Sequence, residues 1–242
     1  MSNNLPANVE PDLKSEAKDL QKQTARDHVV NVIKATVSGI PVVGGPVASL
    51  MSDYIPNSRV ERLEQFAKDL ADDMTRVHDK LNVDYVRTDE YAFLVTRVFE
   101  DVARDYQEDK LRAYRNILVN GLRFDVRASI QEAYLNRVEN LTPLHLQLLS
   151  CFVSDEDNAK KLPDATQSYG SSGSIRNTLQ ILLPDFPRDQ LAACAHDLDI
   201  QGITGNLASS LTTMMTAHGA QELANRLTPF GRGFVDFITA WK

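Results

Sequence analysis

The chain reads as a mainly α protein, with an N-terminal helical bundle of long antiparallel helices followed by a small winged-helix-like α+β domain. Three observations predict this. An apolar seam at heptad spacing runs through residues 60–81, and a second long amphipathic pattern follows it. Two Leu-Thr-Pro tripeptides, at 141–143 and 227–229, each open an apolar helix in the last third. The implied organisation is a polar, partly disordered segment over 1–27, a bundle with an apolar Gly/Pro hairpin over 28–140, and the winged-helix-like region over 141–242. With 43% hydrophobic and 24% charged residues, the 242-residue chain has the composition of a globular protein and not of a disordered or fibrous one.

Residues 1–11 hold Pro6 and Pro11 without periodicity, and 12–26 are polar and helix-tolerant. The character then changes. Val29–Met51 contains a single charge, Lys34, and approaches the length of a membrane span. Gly39, Pro41, Gly44, Gly45 and Pro46 interrupt it, so it reads as two short helices, about 26–38 and 46–55, joined by a turn. A helix apolar nearly all round is buried in protein or in lipid. The reading adopted is core, with Ile33, Val37, Val43 and Val47 buried.

Val60, Leu63, Ala67, Leu70, Met74, Val77 and Leu81 follow at spacings of 3 and 4, with charged residues outside the seam. This seam is the candidate interaction surface, for a protein partner or a second copy of the chain. A second helix is expected over 88–122, antiparallel to the first, carrying Tyr91, Leu94, Val95, Val98, Val102, Tyr106, Tyr114, Ile117 and Leu118. Ser129 is placed as the cap of a third helix with Ile130, Tyr134, Leu135 and Val138. Beyond Pro143 come helices from Ser174 and after Pro187. Short strands are then expected at Ile203–Thr204, Leu211–Thr216 and Ala224–Leu227, before a closing helix.

Reactive chemistry finds little support. A phosphate loop needs a lysine where the Gly39–Pro46 turn has Pro46. Cys194 and His196, two apart on a helix, face different ways, and His28, His78, His145 and His218 stand alone in sequence. Carboxylate pairs such as Asp72-Asp73 and Glu108-Asp109 lie on charged helix faces, where neighbours diverge by about 100°. No catalytic residue, cofactor or metal is expected. Two cysteines imply no disulfide framework, and no secretory leader is read, so the expected compartment is the cytoplasm.

The net charge of −7, from 26 basic and 33 acidic residues, argues against nucleic acid as a partner. The helix after Pro187 offers Arg188 but also Asp189, Asp197 and Asp199, whereas counterion release needs several cations facing phosphates. A DNA-binding regulator is the alternative, and it requires Arg176, Arg188, Arg226 and Arg232 to converge as one exposed stripe. A membrane-perturbing effector using 29–51 is the second alternative; a membrane partner is not favoured, because two prolines, three glycines and Lys34 make that segment a poor single span.

The run Glu108-Asp109-Lys110-Leu111-Arg112-Ala113-Tyr114-Arg115-Asn116-Ile117-Leu118-Val119-Asn120-Gly121-Leu122, followed by Leu141-Thr142-Pro143-Leu144-His145-Leu146-Gln147-Leu148-Leu149, resembles the helical "abortive infection alpha" family of bacterial proteins over about residues 28–153. Leu227-Thr228-Pro229-Phe230-Gly231-Arg232-Gly233-Phe234 resembles the closing helix of bacterial winged-helix proteins. The resemblance implies a cytoplasmic bacterial protein of phage defence that acts by protein–protein contact, and it assigns no catalytic residues.

Overall fold

A computed structural model describes residues 57–77, 82, 85–122, 126–153, 160–162 and 172–240. The 1–27 segment and the hairpin residues Ile33, Val37, Val43 and Val47 lie outside the described residues, as does Leu81. The described chain is mainly helical, with two strands of two residues each. It divides into two compact units: residues up to Tyr106 with Leu118–Gln131, and Gln107–Ile117 with Glu132–Ala240.

In the first unit, α1 (Asn57–Arg76) and α2 (Asp89–Arg104) run antiparallel. Leu63, Phe66, Leu70 and Met74 of α1 are buried, at spacings of 3, 4 and 4, and Phe66 meets Phe99 edge to face with ring centroids 5.4 Å apart. That spacing is a plain 3.6-residue stripe and not a heptad, so the buried face drifts past Ala67 onto Phe66. Arg62 Nε and Nη2 donate to the carbonyls of Val102 (3.2 Å) and Ala103 (3.3 Å), and Arg59 Nε also donates to Ala103. Two cations thus satisfy carbonyls that the last turn of α2 leaves open. Thr88 caps α2 by accepting from the Tyr91 N–H at 3.3 Å, and Asp89 and Glu90 fill its first turn. The Tyr91 hydroxyl, fully buried, donates to Leu118 O at 3.1 Å, and Gln131 Nε2 donates to Gly121 O (2.9 Å) and Val126 O (3.0 Å).

The single helix expected over 88–122 is two. It breaks at Asp105–Gln107 and resumes as α3 (Glu108–Asn120). No apolar side chain between Ala103 and Ala113 is buried, and Tyr106 is 75% exposed, so packing does not hold this stretch straight. The charges agree with the break, since Arg104 suits a helix end and Glu108 and Asp109 suit a helix start. The third helix, α4 (Ala128–Asn140), begins one residue before Ser129, whose expected capping role passes to the Arg127 carbonyl and the backbone N–H groups of Ile130 and Gln131.

The second unit takes α3 up to Ile117 and α4 from Glu132. It adds α5 (Pro143–Ser150), β1 (Ser172–Gly173), α6 (Ile175–Leu182), α7 (Arg188–Ile200), α8 (Leu207–Ser210), β2 (Met215–Thr216), α9 (Ala217–Gln221), a 3-10 turn (Leu223–Arg226) and α10 (Pro229–Ile238). Its aromatic core sets Tyr134 among Phe230, Phe234 and Phe237, at 5.3, 5.6 and 5.1 Å between centroids. Lys110 Nζ donates to Glu139 O at 3.1 Å, and Asn116 Nδ2 to Ile238 O at 2.7 Å. Strands β1 and β2 pair antiparallel, Gly173 opposite Met215.

The hairpin expected between Ile203 and Leu227 is absent among the described residues. A single antiparallel bridge joins Thr204 to Leu227, and the rest of the segment is helical turns or pairs with β1. The burial explains why. Leu207, Ser210 and Leu211 are buried at i, i+3 and i+4, which is a helical spacing, and Leu227 turns extended only after the 3-10 turn Leu223–Arg226. Asp199 decides α8 from outside it. Its Oδ1 accepts from Leu207 N (2.9 Å) and Thr204 Oγ1 (2.7 Å), and its Oδ2 from Ala208 N (2.9 Å).

Candidate functional site

Of the interaction seam, Leu63, Leu70 and Met74 are buried within the single chain and Val77 is half-buried; the side chain of Val60 lies outside the described residues. The seam therefore spends its largest side chains on internal packing. The four arginines do not form one exposed stripe. Arg188, at the start of α7, and Arg232, on α10, are exposed, while Arg176 and Arg226 are half-buried. Arg226 points inward, with Nη1 3.4 Å from Ser210 Oγ and Nη2 3.7 Å from Met215 Sδ. Among the described residues no helix is long and apolar enough to cross a membrane.

Sequence spacing hid a tertiary pair. The 5%-exposed His145 of α5 lies with Nε2 3.4 Å from Asp197 Oδ2 of α7. Its Nδ1 accepts the Thr142 N–H at 3.1 Å and lies 2.8 Å from Thr142 Oγ1, so the second Leu-Thr-Pro element, counted backward from the C-terminus, closes its helix start through a histidine. Accepting at Nδ1 fixes the tautomer, with the neutral ring's hydrogen on Nε2 toward the carboxylate. Burial lowers the His145 pKa, and Asp197 opposes that shift. Burial likewise raises the Cys194 thiol, with Asp197 adding to the effect, and pushes Cys151 up to about 11. A thiol nucleophile needs a depressed pKa and a base with a free acceptor nitrogen. Here both thiols are shifted the other way, and the acceptor of His145 is occupied by Thr142. Among the described residues, no three His, Cys, Asp or Glu side chains gather as a metal would require.

The same unit contains a pocket of about 270 Å³ between α3, α5 and the end of α10. Ala113, Leu146, Leu149, Val235 and Ile238 supply its apolar wall. Asp109, Arg112, Asn116 and Gln147 supply polar groups, with Asp109 accepting from Arg112 Nη2 at 3.2 Å and from Gln147 Nε2 at 2.8 Å. Sequence reasoning missed this place. Its one local signal is Asn116, a polar residue on the helix face that carries Ala113, Ile117 and Asn120, all buried.

No protein-family model, curated protein or solved structure matches the chain.

Proposed function

We propose that the chain is a non-enzymatic interaction protein of the bacterial cytoplasm, a phage-defence component of the abortive-infection-alpha kind, acting through contacts between helix faces. The observation that carries the reading is the outward face of α7. In a winged-helix reading this helix takes the recognition position, and its exposed side chains are Arg188, Asp189, Gln190, Ala193, His196, Asp197 and Ile200. One arginine among two aspartates, ending on an isoleucine that is 71% exposed, suits a protein surface and not a phosphate backbone. The two thiols, whose pKa values burial raises, and the imidazole whose acceptor nitrogen Thr142 occupies support a role without chemistry of its own.

The test is phage challenge of a bacterial host expressing the full chain, beside duplex-DNA binding by the purified protein. The expected result is reduced plaquing that is lost in Ile200→Asp, with unchanged circular dichroism, and kept in Cys194→Ser. Salt-dependent binding to duplex DNA, or loss of protection in Cys194→Ser with the fold intact, overturns the proposal.

A further inference from the structure

The pocket between α3, α5 and α10 has a chemistry that the interaction reading does not use. Asn116 is 8% exposed and lines it, and its Nδ2 donates to Ile238 O at 2.7 Å. A carbonyl partner fixes the amide orientation, since only the nitrogen can donate. That leaves Oδ1 as an acceptor held in place on a rigid, buried side chain. The same asymmetry recurs at the rim. Gln147 gives its Nε2 to Asp109 at 2.8 Å and keeps an acceptor oxygen, while Arg112 and Asp109 neutralise each other at 3.2 Å. Asn116 Nδ2, Gln147 Nε2 and Arg112 Nη2 each give a hydrogen to an acceptor of the wall itself, and the buried Asn116 Oδ1 is left beside an apolar floor.

We infer that this pocket binds a small neutral molecule with an apolar body and an N–H or O–H donor directed at Asn116 Oδ1. An anion would meet the Asp109 carboxylate and the Asn116 and Gln147 oxygens, with only the largely exposed Arg112 to attract it, and a cation would have to displace Arg112 from Asp109. A neutral donor on an apolar frame meets a complement in both respects. About 270 Å³ lies just below the usual ligand-pocket range of roughly 300–1,000 Å³, which suits a bicyclic ring or less.

The experiment uses indole against 1-methylindole, the same frame without its donor, titrated calorimetrically into the full chain. Indole is expected to bind at one site, and 1-methylindole at least tenfold more weakly, the equivalent of one hydrogen bond. Ser150→Trp, an exposed residue at the mouth, is expected to abolish indole binding with unchanged thermal unfolding, and Ala240→Trp serves as the second block. Asn116→Leu is expected to erase the preference for indole. Equal binding of the two probes, no indole binding up to millimolar concentration, or undiminished binding in both blocked variants would overturn the inference.

Discussion

Gly231 of α10 lies so close to Ile203 that a Cβ built on it would stand 1.9 Å from the Ile203 carbonyl oxygen. The obstacle is backbone, held from the other side by Thr228, whose N–H donates to the same carbonyl at 3.0 Å. The side chain of Thr228 also accepts the Gly231 N–H at 2.9 Å, so the cap and the close approach are one device. Gly231→Ala is expected to destabilise the protein by about 3 kcal/mol, the upper end of overpacking costs, in urea unfolding. Gly233→Ala is expected to cost less, because its nearest obstacle is the Tyr134 hydroxyl, 2.4 Å away at the end of a side chain.

Asp199 holds three donors, two of them backbone N–H groups of α8. Asp199→Asn turns one oxygen into an N–H₂ facing another donor. The expected loss is about 2 kcal/mol, typical of a charge-assisted bond left unmade, and chemical denaturation checks it. If α8 were held by its own propensity the variant would unfold like the parent.

His145 makes stability depend on pH with a definite sign. Its folded-state pKa is lowered from 6.5, so on acidification the unfolded chain takes up the proton first. The contribution is fully present above about pH 6.5 and is lost as pH falls from there to the folded-state pKa, below which both states are protonated. Protonation also puts a hydrogen on Nδ1, where Thr142 already donates. Urea unfolding of the parent and His145→Gln from pH 7.5 to 5 is expected to show the steeper decline in the parent. Parallel curves would remove His145 as the cause.

Leu70 is 0% exposed. Leu70→Ala is expected to cost about 2–5 kcal/mol, as core truncations do. Leu70→Asp is expected to unfold the chain, seen by circular dichroism, and not to shift a folded dimer to a folded monomer in sedimentation.

Both cysteines are expected to resist a thiol reagent at pH 7.5 in the native protein and to react at once in denaturant. The buried thiol of Cys151, pushed up to about 11, carries almost no thiolate at that pH.

Signals that act within a few residues were legible in the sequence, and signals from afar were not. Ser174 caps α6 by accepting from Asn177 N at 3.3 Å, and α7 begins directly after Pro187, as the sequence implied. Both depend only on neighbours. Phe66 was missed because a strict heptad was imposed on a straight helix, whose stripe advances by 3.6 residues per turn. Of the strand expected at Leu211–Thr216, only Met215–Thr216 forms, and it pairs with β1; the short helix before it, α8, rests on the carboxylate of Asp199, which no pattern within 207–216 records. The break at 105–107 lay between Arg104 and Glu108, a pair of end signals overruled by the long apolar pattern. The Asn116 pocket and the His145–Asp197 pair join helices far apart in sequence, and nothing in one helix's own spacing records the other.

The bond from Asn116 to Ile238 spans 122 residues. A ribosome making this protein therefore exposes one side of the contact long before the other exists. Until α10 is made, Tyr134 has none of its three phenylalanine neighbours, and α3 and α5 present an unfinished apolar surface. Loop closure over such a distance slows folding. The second unit therefore cannot complete these contacts before α10 has been made, and until then the faces of α3 and α5 depend on shelter from other chains.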